Sequence, residues 1–158
     1  MDNRLVCICG PTASGKTALS VALAKKLHTE IISADSMQLY RYMDIGTAKP
    51  TIEERQDIRH HLFDVCEPGE GFSVARYVEL ADAAAQDILS RNMIPVVVGG
   101  TGLYMDALIE CSTFRATRPI SLFEKNTKSW LVNRGTKQCT PALQRSTRKA
   151  QNDCIRII

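Results

Sequence analysis

Gly10-Pro11-Thr12-Ala13-Ser14-Gly15-Lys16-Thr17 is the stretch that decides how the rest of this chain is read. Its pattern, G-x-x-x-x-G-K-T, is a phosphate-binding P-loop, which works only as a strand–loop–helix unit. Both flanks fit. The apolar run Leu5-Val6-Cys7-Ile8-Cys9 precedes it, and a helix-like run from Thr17 to Leu27 follows. Gly10 and Gly15 are expected to let the backbone turn sharply and approach a phosphate with no Cβ in the way. Thr12 and Ser14 join them in the cradle, and the loop amides and helix N-terminus face the anion. Lys16 supplies a full positive charge, and the Thr17 hydroxyl is placed to reach a phosphate-bound Mg²⁺.

Working outward, residues 4–9 read as a buried strand. Thr17 to Leu27 reads as an amphipathic helix with Leu19, Val21, Ala22, Leu23 and Leu27 as its apolar surface. Glu30 to Ser33 is a short second strand, and 35–50 is irregular. Thr51 to Ile58 fits a short helix with Glu53 and Glu54 well placed near its positive end. Pro68 to Gly71 breaks the chain. Ser73 to Ser90 is a strong helix, with Ser73 as N-cap and Val74, Tyr77, Val78, Ala81, Ala84, Ala85, Ile88 and Leu89 on one face. Ile94 to Val98 is the most hydrophobic strand. Gly99-Gly100-Thr101-Gly102 follows it, then a helical run from Leu103 to Ile109. Strands alternating with helices predict an α/β fold, a P-loop NTPase-like parallel sheet flanked by helices. Both glycine loops follow strands, so both belong at the C-terminal sheet edge, where ligands bind in such folds.

The 158 residues suggest one domain. No apolar run reaches the roughly eighteen residues of a membrane span. The start of the chain has no signal-peptide pattern, so the cytoplasm is expected, without membrane partners. Six cysteines at 7, 9, 66, 111, 139 and 154 show no zinc-type spacing. Cys7 and Cys9 share a strand face and read as small buried hydrophobes. Charge is uneven: residues 1–111 hold 10 Lys/Arg against 15 Asp/Glu, and residues 112–158 hold 10 against 2.

Four segments together resemble one family. They are Gly10 to Thr17; Ser33-Ala-Asp-Ser-Met-Gln-Leu-Tyr40 with Asp44-Ile-Gly-Thr-Ala-Lys-Pro50; His60-His-Leu-Phe-Asp-Val65; and Val98-Gly-Gly-Thr-Gly-Leu-Tyr104. They look like the tRNA dimethylallyltransferases, also called tRNA isopentenyl transferases. The P-loop alone would give only a nucleotide or phosphate site, ATP included. The Asp35-Ser36-Met37-Gln38 block and the Gly99 to Tyr104 loop make the resemblance specific.

The resemblance implies a reaction. Dimethylallyl diphosphate donates its five-carbon group to the exocyclic amine of an adenosine beside the tRNA anticodon, and diphosphate leaves. A P-loop suits this, because the leaving group carries the charge that develops, and Lys16, the loop amides and Mg²⁺ would stabilise it. Asp35 is implied as the general base and Thr101 as a group stabilising the reacting centre and touching the target nucleotide. Asp35, Ser36, Met37, Gln38 and Thr101 are implied tRNA contacts. Thr101 can also cap the following helix. His60 and His61 diverge as neighbours, so a structural or tRNA-facing role is expected, not a shared metal. Tyr40 and Tyr42 can stack on bases or pack. A monomer is expected. The alternatives are a small-molecule kinase, an isopentenyltransferase acting on free adenine nucleotides, or a non-catalytic fragment.

The resemblance covers roughly residues 4–117, taken as a partial P-loop transferase core over 1–117, with the sheet incomplete. Residues 118–158 form an unassigned basic tail without a clear period, expected to be disordered. Permissible codons for Pro119 to Ile158, read from their third base, can give D-Q-S-L-R-E-K-Y-E-E and later L-A-A-V-D-P-E-S-A-K-R-L-H-P-N. Both resemble the family's own continuation. The expectation is a one-register frameshift near Arg118 and a premature stop, leaving the chain impaired or inactive and its positive tail no nucleic-acid arm.

Overall fold

The computed structural model describes residues 4–111 and 154–157. The elements run β1 (Val6–Cys9), α1 (Lys16–Leu27), β2 (Ile31–Ser33), α2 (Ile52–Arg55), β3 (His60–His61), α3 (Val74–Ser90), β4 (Val96–Gly99), α4 (Gly102–Cys111) and β5 (Cys154–Ile157). The sheet order is β3-β2-β4-β1-β5. β3, β2, β4 and β1 are mutually parallel, which is the expected α/β core. β5 pairs antiparallel with β1, Val6 opposite Ile157 and Cys9 opposite Cys154. The tail assigned to 118–158 lies outside the described residues except at 154–157, and there a strand stands where irregular chain was expected. Cys-Ile-Arg-Ile carries two β-branched residues, and β1 offers it an edge with unpaired main-chain groups.

Strand order is what builds the site. β4 inserts between β1 and β2, so the chain leaving β1 crosses past β4's place before entering the sheet again. Residues of the three strands stand level: Ile8 faces Val98, and Val98 faces Ser33. The loops after β1, β2 and β4 therefore emerge side by side at the C-terminal edge.

The strand alternation sorts the core onto two faces. Val6, Ile8, Ile31 and Val96 pack with Val21 and Ala24 of α1. Leu5, Cys7, Ile32 and Val97 pack on the other face with Tyr77, Ala81, Ala85 and Ile88 of α3 and Tyr104, Met105 and Leu108 of α4. Cys7 is fully buried as expected, whereas Cys9, at the strand's end, is only partly buried. The α1 expectation needs correcting. Leu19 and Leu27 are 44% and 38% exposed, and the buried stripe is Ser20, Val21 and Ala24. The P-loop fixes the phase of this helix, and the buried Ser20 satisfies its hydroxyl by donating back to the Thr17 carbonyl (2.9 Å). α3 begins as read, with Ser73 accepting from the Arg76 amide. Thr51 caps α2 and, with Glu54, forms a capping box. β3 was absent from the sequence reading, since two residues carry no period.

Tyr77 is fully buried and stacks on Tyr104, the ring centroids 4.2 Å apart and 11° from coplanar. Its hydroxyl has no hydrogen-bond partner among the described residues. A buried hydroxyl without a partner carries its full desolvation cost. Tyr77→Phe keeps the stack and removes that cost, so chemical denaturation should show a gain of about 1–2 kcal/mol. A loss of stability would mean the hydroxyl is satisfied.

Glu30, just before β2, ties three elements together. It accepts from both Arg91 guanidinium nitrogens, one at 2.9 Å, and from His61 Nε2 at 2.6 Å. Arg91 also reaches Asp87 at 2.7 Å. The Arg91 hydrogen bonds hold the Glu30 carboxyl at about 2, below its ordinary 4.5; burial pushes the other way, and His61 adds to the lowering. A depressed carboxylate contributes stability that is complete above its unfolded pKa and lost as pH falls through the folded one. Glu30→Gln should therefore cost on the order of 2 kcal/mol at pH 7, where charged hydrogen bonds are lost. The gap to wild type should close between pH 4.5 and 2. Urea midpoints across that range check it, and a gap independent of pH would contradict it.

Candidate active site

The P-loop folds as its sequence requires, with one adjustment. Gly15 is left-handed (φ 84°), and so is Ala13 (φ 65°), while Gly10 does not take a positive φ. The left-handed turn is therefore supplied by Gly15 and Ala13. α1 starts at Lys16, and Gly15, at its N-cap, offers no side chain to the helix amides. Those amides are left for an anion. Lys16 Nζ donates to the Pro11 carbonyl across the loop. Ser14 Oγ is buried and has no partner among the described residues.

The loops after β2 and β4 close on this cradle. Gly99 permits the approach, because a Cβ there would overlap the Ala34 main chain. The Ala34 amide donates to Val98 O at 2.7 Å, and the Thr101 amide to Ala34 O at 3.1 Å. A Cβ on Gly100 would stand 3.6 Å from the Gly10 carbonyl oxygen and 3.8 Å from Asp35 Oδ2. The P-loop, Asp35 and the glycine loop thus meet within contact distance. Asp35 Oδ1 accepts from the Met37 amide (3.0 Å), which holds the carboxylate in a turn. Thr101 Oγ1 accepts from the Ser36 amide at 3.0 Å and donates to Ser36 Oγ at 3.3 Å. Thr101 occupies the N-cap position of α4, its carbonyl accepting from Met105, but its hydroxyl binds the β2 loop.

One cleft of about 360 Å³ joins these parts. Thr12, Ala13, Gly15, Lys16 and Thr17 line one side, Asp35 and Gln38 the sheet edge, and Ala48, Pro50, Glu54, His60 and Phe63 the far wall. The far wall was not foreseen. His60 stacks on Phe63 (5.3 Å between centroids), and the Arg55 guanidinium lies 4.6 Å from the Phe63 ring centre. His60 Nδ1 donates to Ile58 O at 2.8 Å. Burial pushes the His60 pKa below its usual range; the Ile58 hydrogen bond opposes this, and the charges of Arg55 and His61 add to it. The ring is neutral at pH 7. His61 turns away to Glu30, so the two histidines diverge, as neighbours on a strand must.

Of the other expected contacts, Met37 is 43% exposed and Tyr42 79% exposed. Tyr40 is half-buried and donates to Glu70 O at 3.3 Å. Gln38 lines the cleft, but its amide is engaged within the chain: it accepts from Ser33 Oγ at 3.0 Å and donates to Ala48 O at 3.0 Å. Lys49 is the residue that sequence reading passed over. Its side chain is 3% exposed and reaches Asp44 and Asp64, each at 2.8 Å. Burial works against its charge, yet the two carboxylates more than offset this and hold the ammonium above the ordinary lysine range. Only a strongly apolar neighbourhood around Lys49 could have signalled burial from sequence, and Thr47-Ala48-Lys49-Pro50 offers none.

Comparison with known proteins adds four findings. The family model described as IPP transferase matches residues 38–156. The tRNA dimethylallyltransferase of Anaeromyxobacter dehalogenans is 61% identical over 106 residues, covering 67% of this chain and 36% of that protein. That of Acetivibrio thermocellus is 60% identical over 109 residues, covering 69% and 34%. The solved structure of a full-length tRNA isopentenylpyrophosphate transferase from Bacillus halodurans superposes with a TM-score of 0.65 at 51% identity, covering 72% of this chain and 38% of that one. The chain thus spans about a third of the length of the curated relatives it matches.

Proposed function

Because the chain belongs to the IPP transferase family, we propose that it carries the diphosphate cradle and the general base for dimethylallyl transfer to an adenosine amine in tRNA. The convergence of the P-loop and Asp35 on one cleft is the observation that supports this most directly, with Thr101 bonded to Ser36 beside it. In this reading the diphosphate of dimethylallyl diphosphate sits on the P-loop amides, and Lys16 exchanges its contact with Pro11 for phosphate oxygen. The Ser14 hydroxyl, without a partner among the described residues, would gain one there. Asp35 takes a proton from the attacking amine nitrogen as the bond to the prenyl carbon forms. The carbon–oxygen bond to diphosphate breaks, and its electrons leave with the phosphate. Thr101, fixed against Ser36, holds the Asp35 loop at the glycine loop.

Thr17 lines the cleft beside the P-loop amides and offers a hard oxygen donor, which fits Mg²⁺, an ion bound largely by substrate phosphates and water with few protein oxygens. Thr17 would hold it, and when bound it would neutralise charge on the diphosphate. Among the described residues no helix is long and apolar enough to cross a membrane.

The test is direct. Purified chain is titrated with dimethylallyl diphosphate, then incubated with the labelled compound and either tRNA or AMP. Saturable binding with label transfer to tRNA supports the reading. Transfer to AMP instead would move the acceptor to free nucleotides, and no binding of the diphosphate would reject the donor site.

A further inference from the structure

The segment from Tyr40 to Lys49 is an arch drawn onto the strand edge from inside. The Lys49 ammonium donates to Tyr40 O at 2.9 Å and to Asp44 and Asp64. Asp64 is itself joined to the arch, its amide donating to Gln38 O (3.4 Å) and its carbonyl accepting from Arg41 Nε (2.9 Å). Immediately before Lys49, the carbonyls of Thr47 and Ala48 accept from Gln38 Nε2, at 3.4 and 3.0 Å. Carbonyls can only accept, so the nitrogen end of the Gln38 amide faces the arch. Its oxygen takes the Ser33 hydroxyl and keeps one lone pair.

We propose that Lys49 is a positioning residue that locks Gln38 with its donors spent, so that this cleft residue meets the acceptor only as a hydrogen-bond acceptor. A group touching Gln38 must then donate. An amine satisfies it, and a ring carbonyl at the same place meets oxygen with oxygen. Lys49 thus tilts the site toward a base bearing an exocyclic amine, acting through Gln38. This rests on the reading of adenosine in RNA as the acceptor.

The experiment uses the 158-residue chain and two readouts. The first is NMR of the Gln38 side-chain amide. Wild type should show two resolved Nε2 proton signals that exchange slowly with water, and Lys49→Met should average them or broaden them away, while Lys49→Arg restores them. The second is the affinity ratio for anticodon-hairpin RNAs carrying adenosine or inosine, whose carbonyl replaces the amine. Wild type should favour adenosine by about 10-fold or more, the scale of one mismatched polar contact. Lys49→Met should lower that preference several-fold, leaving the part set by Asp35, and Lys49→Met placed on Gln38→Met should add nothing further. Should Lys49→Met fail to fold, Asp44→Asn and Asp64→Asn weaken the same anchor from exposed positions and should loosen the Gln38 signals in steps. Unchanged Gln38 signals, or an unchanged ratio in a variant that has lost them, would overturn the proposal. If wild type binds neither hairpin, the acceptor reading fails, and with it the preference assigned to Gln38; the amide signals then still decide whether Lys49 locks Gln38.

Discussion

Lys16→Ala is expected to weaken dimethylallyl diphosphate binding by about 10–100-fold, the scale of a lost hydrogen bond between charged groups. In a chain given the family's continuation after Arg118, turnover should fall further, by about 10²–10³, because charge on the departing diphosphate grows in the transition state and the donor is worth most there. The fold should survive. Lys16 lies in the first turn of α1 and its ammonium contacts the Pro11 carbonyl, while the buried stripe of α1 is formed by Ser20, Val21 and Ala24. Calorimetric titration with the diphosphate, with thermal unfolding run alongside, checks both halves. Wild-type affinity in a folded Lys16→Ala chain would remove the P-loop from the donor site.

Asp35→Asn should do the opposite: leave both substrates bound and lower kcat by about 10²–10⁴, the usual contribution of a positioned base. The substitution is nearly isosteric, and an asparagine oxygen can still accept from the Met37 amide as Asp35 Oδ1 does. The turn that aims the side chain is kept, and only the proton acceptor is lost. The measurement is a split between KM and kcat for tRNA and diphosphate. A raised KM with an unchanged kcat would make Asp35 a substrate anchor and leave the base unassigned.

The two variants probe parts of the site that were legible to different degrees. The P-loop was readable because its geometry is local: Gly15 takes its left-handed turn and the helix starts at the next residue. Asp35 and Thr101 could be named only through resemblance. Nothing in their own neighbourhoods says that a hydrogen bond joins Thr101 to the amide of Ser36. Gln38 shows the cost of reading a residue alone. A glutamine amide can in general both donate and accept, and the fold spends both donors on the arch.

The sequence by itself determined the elements and the chemistry at their ends. Short apolar runs rich in Val and Ile made β1, β2 and β4. A 3.6-residue apolar period and the Ser73 cap made α3, and the glycine pattern made the P-loop. These depend on neighbours a few positions apart, so local sequence encodes them. Tertiary structure alone decided that β4 lies between β1 and β2, which brings three distant loops to one cleft. It also decided which stripe of α1 is buried, that His60–His61 is a strand, that β5 lies along β1, and that Lys49 is withdrawn from water onto Asp44 and Asp64. Each of these depends on strand order and on partners far along the chain. A lysine, a two-residue strand or a helix phase carries no local mark of where its partner will stand.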